Sequence, residues 1–238
     1  MNARLISLRS YMLYNNVEDE AHLFKTDSWR LFRIISEFVE GFENMTTLGP
    51  SVSIFGSARL QASHPYYKLG IDVAGHIAKK GFAIITGGGP GLMEAANKGA
   101  QMTQGKSCGL GVDLPFEAEL NPYIDRKYRL NFRYFFIRKV MFIRYAQGFV
   151  FLPGGYGTLD ELFEALTLIQ THKIHPFPIY LVGKDYWKGI IDWIKSTMLT
   201  QQCISENDLK LISLTDDPEE VANGIERYYQ RNHTQKNF

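Results

Sequence analysis

The stretch from Phe149 to Ala165, FVFLPGGYGTLDELFEA, constrains the fold most tightly. An apolar run through Leu152 breaks at Pro153, Gly154, Gly155 and Gly157. It then passes into an amphipathic segment carrying Leu159, Leu162, Phe163 and Leu166. Strands buried on both faces read as continuous apolar runs, so the order is strand, glycine turn, helix, with Thr158 the expected N-cap. Such a junction sets backbone N–H groups and the positive end of a helix dipole at the carboxyl edge of a sheet. Phosphate binds there without a charged side chain.

The same alternation runs through most of the chain. Strands are expected at 51–55, 82–86, 107–113, 148–152 and 177–182, with extended pieces at 128–132 and 209–214. Helices are expected at 66–80, 92–103, 134–146, 158–170, 186–199 and 218–231. Residues 114–130 read as an irregular loop. This pattern predicts an α/β fold: a doubly wound, mostly parallel, Rossmann-like sheet with an N-terminal helical extension. The extension covers residues 1–48, a nucleotide-binding domain residues 49–232 and a frayed tail residues 233–238. In the extension, Asp27 or Ser28 is expected to cap a helix bearing Trp29, Phe32, Ile35, Phe38, Val39 and Phe42. That stripe has to bury against its own domain or a partner subunit.

Composition narrows the function. The chain has 238 residues, 26 basic against 25 acidic, for a formal net charge of +1. No global field for nucleic acid or membrane follows from that balance. No apolar run approaches the ~18 residues of a membrane span, so a soluble cytoplasmic protein is expected. Cys108 and Cys203 are far apart and outside any CxxC, which fits a reducing compartment and two small buried residues.

Three strand ends carry glycine loops: Gly56-Ser57, Gly87–Gly91 and Gly154–Gly157. In open α/β sheets ligands sit at the carboxyl ends of strands near the switch in strand order, so Gly56, Ser57, Gly88, Gly89 and Gly91 are candidates for one pocket with Gly154, Gly155 and Gly157. Dinucleotide and ATP motifs do not fit. The fingerprint fails at Leu92 or Glu94, although Asp113 stands about where a ribose contact would. The run from Ala100 to Ser107 lacks the first P-loop glycine and joins a helix to a strand, the reverse of a P-loop. His172 and His175 have no third ligand nearby, so no metal is expected. Glu161, three residues after Thr158, has two readings: a capping-box partner, or a carboxylate facing a group attached to a bound phosphate. Arg138, Lys139 and Arg144 also have two, a solvated face or a clamp on an anion.

Pro153 through Glu161, PGGYGTLDE, resembles the PGGxGTxxE motif of the Lonely Guy (LOG) family, whose members are often mislabelled lysine decarboxylases. Arg138-Lys139 resembles the second family motif, and Thr86 through Glu94, TGGGPGLME, the first glycine loop. The resemblance spans roughly residues 50–229. It implies a Rossmann-like homodimer or higher homo-oligomer that hydrolyses the N-glycosidic bond of a purine or cytokinin nucleoside 5′-monophosphate, giving free base and ribose 5-phosphate, with no metal or redox cofactor. It implies Arg138 and Glu161 as catalytic, and Lys139, Gly154, Gly155, Gly157, Thr158, Thr167 and Glu94 as substrate-binding. The chain departs from the family pattern at Asp160, where many members have Glu, in the apolar stretch Tyr134–Met141, and in its first 48 residues.

The chemistry fits such residues. N-glycosidic cleavage builds oxocarbenium character on the sugar, and a neighbouring carboxylate stabilises it or orients water. The rival reading is a non-catalytic sensor or carrier of a nucleotide or phosphorylated cofactor. A lysine decarboxylase would need a Schiff-base lysine, and no lysine lies at Gly87–Gly91 or Gly154–Gly157.

Overall fold

A computed structural model describes residues 20–113 and 120–232. The expected tail at 233–238, residues 1–19 of the expected extension and 114–119 of the expected loop lie outside the described residues.

Seven strands form one parallel sheet: β1 Ser51–Phe55, β2 Ala83–Thr86, β3 Ser107–Val112, β4 Arg129–Phe132, β5 Ala146–Phe151, β6 Ile179–Val182 and β7 Ile212–Thr215. Their spatial order is β4-β3-β2-β1-β5-β6-β7. The helices are α1 Glu20–Met45, α2 Pro65–Lys79, α3 Leu92–Met102, α4 Phe135–Tyr145, α5 Tyr156–Gln170, α6 Lys184–Trp193, α7 Glu206–Leu209 and α8 Pro218–Asn232. The chain winds outward from β1 to β4, returns through α4, and resumes outward from β5 on the other side of β1. The switch in direction therefore lies between β1 and β5, the expected ligand crevice of such a sheet.

The strands are apolar because both sheet faces are covered. Val52, Ile54, Ile84, Val150 and Val182 pack with Val73 and Ile77 of α2, Ala96 of α3, and Val221 and Ile225 of α8. On the opposite face Phe55, Ile85, Leu110, Phe149, Phe151 and Leu181 pack with Ile137 and Phe142 of α4, Leu162 and Ala165 of α5, and Trp187 of α6. Side chains alternate along each strand, so one short run feeds both cores. Phe55 joins three neighbours, meeting Phe142 edge-on at 4.9 Å, Phe149 edge-on at 5.2 Å and Phe151 stacked at 5.0 Å. This aromatic group lies under the switch point and stiffens it.

The N-terminal helix runs through Asp27 and Ser28 without a break. The expected cap there is not formed, because 20–26 contains no Gly or Pro to stop helix propagation. Its inner face lies on α4: Phe38 meets Phe136 at 6.4 Å, and the Arg144 guanidinium sits 5.0 Å from the Phe42 ring centre. Glu37 Oε2 accepts from the backbone N–H of Arg133 at 3.1 Å and of Tyr134 at 3.4 Å. Helix α4 has no cap from its own Tyr134 side chain, so a residue of α1 steadies its start. Trp29, Phe32, Ile35 and Val39 remain exposed.

Other boundaries shifted for local reasons. The extended piece expected at 128–132 is edge strand β4, in which Leu130 and Phe132 point inward and Arg129 and Asn131 outward. The piece expected at 209–214 begins later, because Ser205 and Asp208 form a capping box that starts α7. The helix expected to reach residue 199 becomes a π-helix over Ile194–Leu199. Cys108 is buried as expected, whereas Cys203 is exposed. Among the described residues no helix is long and apolar enough to cross a membrane.

Candidate active site

A cavity of about 680 Å³ opens where β1 and β5 end. Its lining includes Gly56, Ser57, Ala58 and Arg59 after β1, Gly87 after β2, Phe135 and Arg138 of α4, the run Gly154–Glu161, and Tyr186 of α6. Phe55 and Phe142 also line it. The structure thus brings together eight of the residues singled out from sequence: Gly56, Ser57, Arg138, Gly154, Gly155, Gly157, Thr158 and Glu161. Lys139, Thr167, Gly88, Gly89, Gly91 and Glu94 do not line this cavity.

The loop after β5 is fixed from several sides. Ser57 N–H donates to the Pro153 carbonyl at 2.9 Å, which ties the β1 loop to the β5 loop. The Tyr186 hydroxyl donates to the Gly154 carbonyl, and Trp187 Nε1 donates to the Phe151 carbonyl at 3.1 Å. Helix α5 begins at Tyr156 with Gly155 as N-cap and no side-chain cap. The expected cap at Thr158 is therefore corrected: Thr158 lies inside the helix, its side chain packed over Gly154. The first amides of a helix have no intrahelical acceptor. Gly155, Tyr156 and Gly157 line the cavity, and a Cβ at either glycine would meet nothing within 4 Å, so this helix start borders open space. An anion fits such a helix start.

The β2 loop serves the frame more than the cavity. Gly91 has φ +70, and a methyl there would strike the Ser57 carbonyl oxygen and stand 2.8 Å from the Ala58 carbonyl carbon. Leu92 N–H donates to the same Ser57 carbonyl at 2.9 Å. Gly88, φ +77, is held by Asn121, whose Nδ2 donates to the Gly88 carbonyl at 3.0 Å and the Gly89 carbonyl at 3.1 Å. Asn121 also donates to Asn97 Oδ1 at 2.9 Å, and Thr86 Oγ1 donates to that oxygen at 2.6 Å. This buried network joins distant segments, so no local sequence pattern announced it. Glu94 accepts from the Tyr67 hydroxyl at 2.6 Å, and burial together with that bond pushes the phenol well above its ordinary range. Thr167 is exposed and donates to the Phe163 carbonyl at 2.7 Å. Gly91→Ala is expected to destabilise the protein by about 2 kcal/mol or more, from positive-φ strain plus the clash with the β1 loop. Urea denaturation measures this; an unchanged midpoint would show that the loop yields.

The charged groups are arranged asymmetrically. Glu161 is buried, and its Oε2 has no hydrogen-bond partner among the described residues. The capping-box reading is not realised, because the N-cap is Gly155, three residues before Thr158, which leaves this carboxylate more than a full turn inside the helix. Burial pushes the Glu161 carboxyl up to about 7, against the pull of the Lys139 ammonium and with a smaller upward push from Glu164. Lys139 Nζ sits 2.6 Å from Glu164 Oε2, 2.7 Å from Asp160 Oδ2 and 3.8 Å from Glu161 Oε1. Burial draws its pKa down, but the bonds to Asp160 and Glu164 outweigh that and hold it above the usual lysine range. The Arg138 guanidinium lies 4.6 Å from the Phe135 ring centre and 5.7 Å from that of Phe142, with Nη1 directed towards Gly87. Arg59 is a second guanidinium on the cavity. It stands one residue beyond the Gly56-Ser57-Ala58 turn and was not among the residues expected in the pocket. Among the described residues no cluster of three or more His, Cys, Asp or Glu side chains suits a metal.

Comparison with known proteins bears on the family and the fold. A family model described as "Possible lysine decarboxylase" matches residues 93–225. A probable cytokinin riboside 5′-monophosphate phosphoribohydrolase of Oryza sativa subsp. japonica is 34% identical over 95 residues, covering 40% of this chain and 37% of the relative. A cytokinin riboside 5′-monophosphate phosphoribohydrolase of Arabidopsis thaliana is 34% identical over 92 residues, covering 38% and 42%. The matched region thus spans about two fifths of these curated relatives. The crystal structure of TM1055 is 22% identical with a TM-score of 0.55, covering 75% of this chain and 99% of that one. The molybdenum cofactor binding protein from Rippkaea orientalis is 19% identical with a TM-score of 0.52, covering 76% and 98%. At such identities the two structures speak to the fold alone, a Rossmann-like α/β sheet. The family model covers more than half of the chain, and the chain belongs to the family it describes, the possible lysine decarboxylases or LOG family.

Proposed function

We propose that the protein hydrolyses the N-glycosidic bond of a purine or cytokinin nucleoside 5′-monophosphate. The observation that carries this reading is Glu161, a buried carboxylate with an unpartnered oxygen, placed on the same cavity as an uncapped helix start and two guanidinium groups. The amides around Gly155 and Gly157 hold the 5′-phosphate. Remote binding energy then fixes the ribose above the aromatic floor of Phe55 and Phe142. Glu161, with its pKa raised to about 7, is available at neutral pH both as a carboxylate and as an acid. As a carboxylate it stabilises positive charge on the sugar and orients the attacking water. Arg138 and Arg59 supply charge for the phosphate or for the departing base. The curated relatives are named for this activity on cytokinin riboside 5′-monophosphates, which supports the class of substrate.

The decarboxylase in the family description fits this chain poorly. A pyridoxal phosphate enzyme needs a lysine in the cavity to form its Schiff base. None of the lining residues is lysine, and Lys139 is engaged by three carboxylates.

Incubation with AMP, GMP, CMP, UMP and isopentenyl-AMP, followed by chromatography, tests the proposal. Free base is expected from at least one purine monophosphate. Tight binding with no base released from any of the five would instead favour the nucleotide or cofactor carrier.

A further inference from the structure

Arg138 and Lys139 are neighbours in sequence, but consecutive helical residues point about 100° apart. The structure separates their surroundings accordingly. Arg138 lines the cavity, whereas Lys139 does not. Its ammonium is bound by Asp160 and Glu164, at 2.7 Å and 2.6 Å, which stand one turn apart on α5. Glu161, beside Asp160, presents Oε1 to the same ammonium at 3.8 Å. We propose that Lys139 is a positioning residue for Glu161, a fixed counter-charge pinned behind the carboxylate, and not a contact of the bound phosphate.

Reach is the first ground. A lysine that held phosphate would have to leave two short ion pairs, and Lys139 is not among the residues lining the cavity. Its side chain is only 17% exposed. Charge balance is the second ground. Lys139 and Arg138 of α4 face Glu161, Asp160 and Glu164 flank it on its own helix, and Arg59 of the β1 loop is a further charged residue of the cavity lining. Because Asp160 and Glu164 already hold the ammonium, its attraction on Glu161 is diluted but not abolished. Removing Lys139 leaves three carboxylates crowded together and disfavours ionisation of Glu161. Neutralising Asp160 and Glu164 does the reverse, giving Glu161 the whole of the ammonium.

The inference rests on the hydrolase reading only for its consequence in catalysis, and its test is made without turnover. The Glu161 side-chain carboxyl is titrated by ¹³C NMR in the ligand-free protein, its signal assigned by its disappearance in Glu161→Gln. In Lys139→Met the midpoint is expected to rise by a pH unit or more, and Lys139→Arg restores it. In the Asp160→Asn/Glu164→Gln double variant it is expected to fall by half a unit or more. AMP affinity, measured by calorimetry at pH 9, is expected to stay within threefold in Lys139→Met. A midpoint that does not move, or moves the same way in both variants, overturns the proposal. So does a tenfold loss of AMP affinity in Lys139→Met that Lys139→Arg restores. If Lys139→Met does not fold, the double variant, which retains the lysine, decides. A parent protein that releases no base would sink the hydrolase reading and leave this titration interpretable.

Discussion

The Glu161→Ala variant is expected to release base about 10²-fold or more slowly than the parent protein, with AMP affinity changed only a few-fold. The two readouts separate because the groups proposed to hold the phosphate lie on a different part of the cavity. The segment leading into α5 is held at Pro153, Gly154 and Phe151 by Ser57, Tyr186 and Trp187, none of which depends on the Glu161 side chain. Removing the carboxylate leaves that frame intact and takes away the charge that stabilises the sugar cation. Single-turnover chromatography gives the chemical step and calorimetry the affinity. A variant that retains full rate would remove Glu161 from the mechanism, and equal losses of rate and affinity would show that it holds substrate in the ground state.

Much of this frame was legible in the sequence because parallel strands covered on both faces are apolar throughout. Ile179–Val182, read as IYLV, and residues 83–85 announce themselves that way. Edge strand β4 was legible only as an extended piece, because it is buried on one face only, and its alternation of Arg129, Leu130, Asn131 and Phe132 sits beside a polar, proline-broken stretch. The candidate cavity was legible for the same topological reason, since glycine turns at three strand ends converge at a switch point. Individual roles were harder to read. Gly91 looks like a ligand glycine in the motif, yet it is required by the backbone of the β1 loop pressing on it. Lys139 looks like half of a basic pair, yet its partners come from α5, and no spacing within α4 reveals them. Glu161 stands at capping-box spacing from Thr158. Only the true start of the helix, set by Gly155, shows that its carboxylate has left the cap for the cavity.

That displacement carries a second large effect, on stability. A carboxyl at about 7 in the folded protein, against 4.5 as its ordinary value, binds its proton more tightly folded than unfolded. The folded state then holds more protons than the unfolded chain between these two values, so stability falls as pH rises from 4.5 to 7 and is level beyond. The fall amounts to about 3 kcal/mol in order of magnitude. Glu161→Gln has the same shape and no charge to desolvate, and Lys139 keeps Asp160 and Glu164 as partners without it. The buried amide has its own unmet hydrogen bonds, about 1–3 kcal/mol, but this penalty is the same at every pH. Relative to the parent protein, Glu161→Gln is therefore expected to be more stable at pH 8 than at pH 5 by about 2 kcal/mol. Urea denaturation at the two pH values measures the difference, with equal slopes confirming a common unfolded state. The same variant loses the carboxylate assigned to the chemistry, so one substitution gains stability at alkaline pH as it loses turnover, the exchange expected where a site holds a charge against its own folding. A stability difference that is the same at pH 5 and pH 8 would mean that Glu161 is as well solvated in the folded protein as in the unfolded chain, and the buried, poised carboxylate would have to be abandoned.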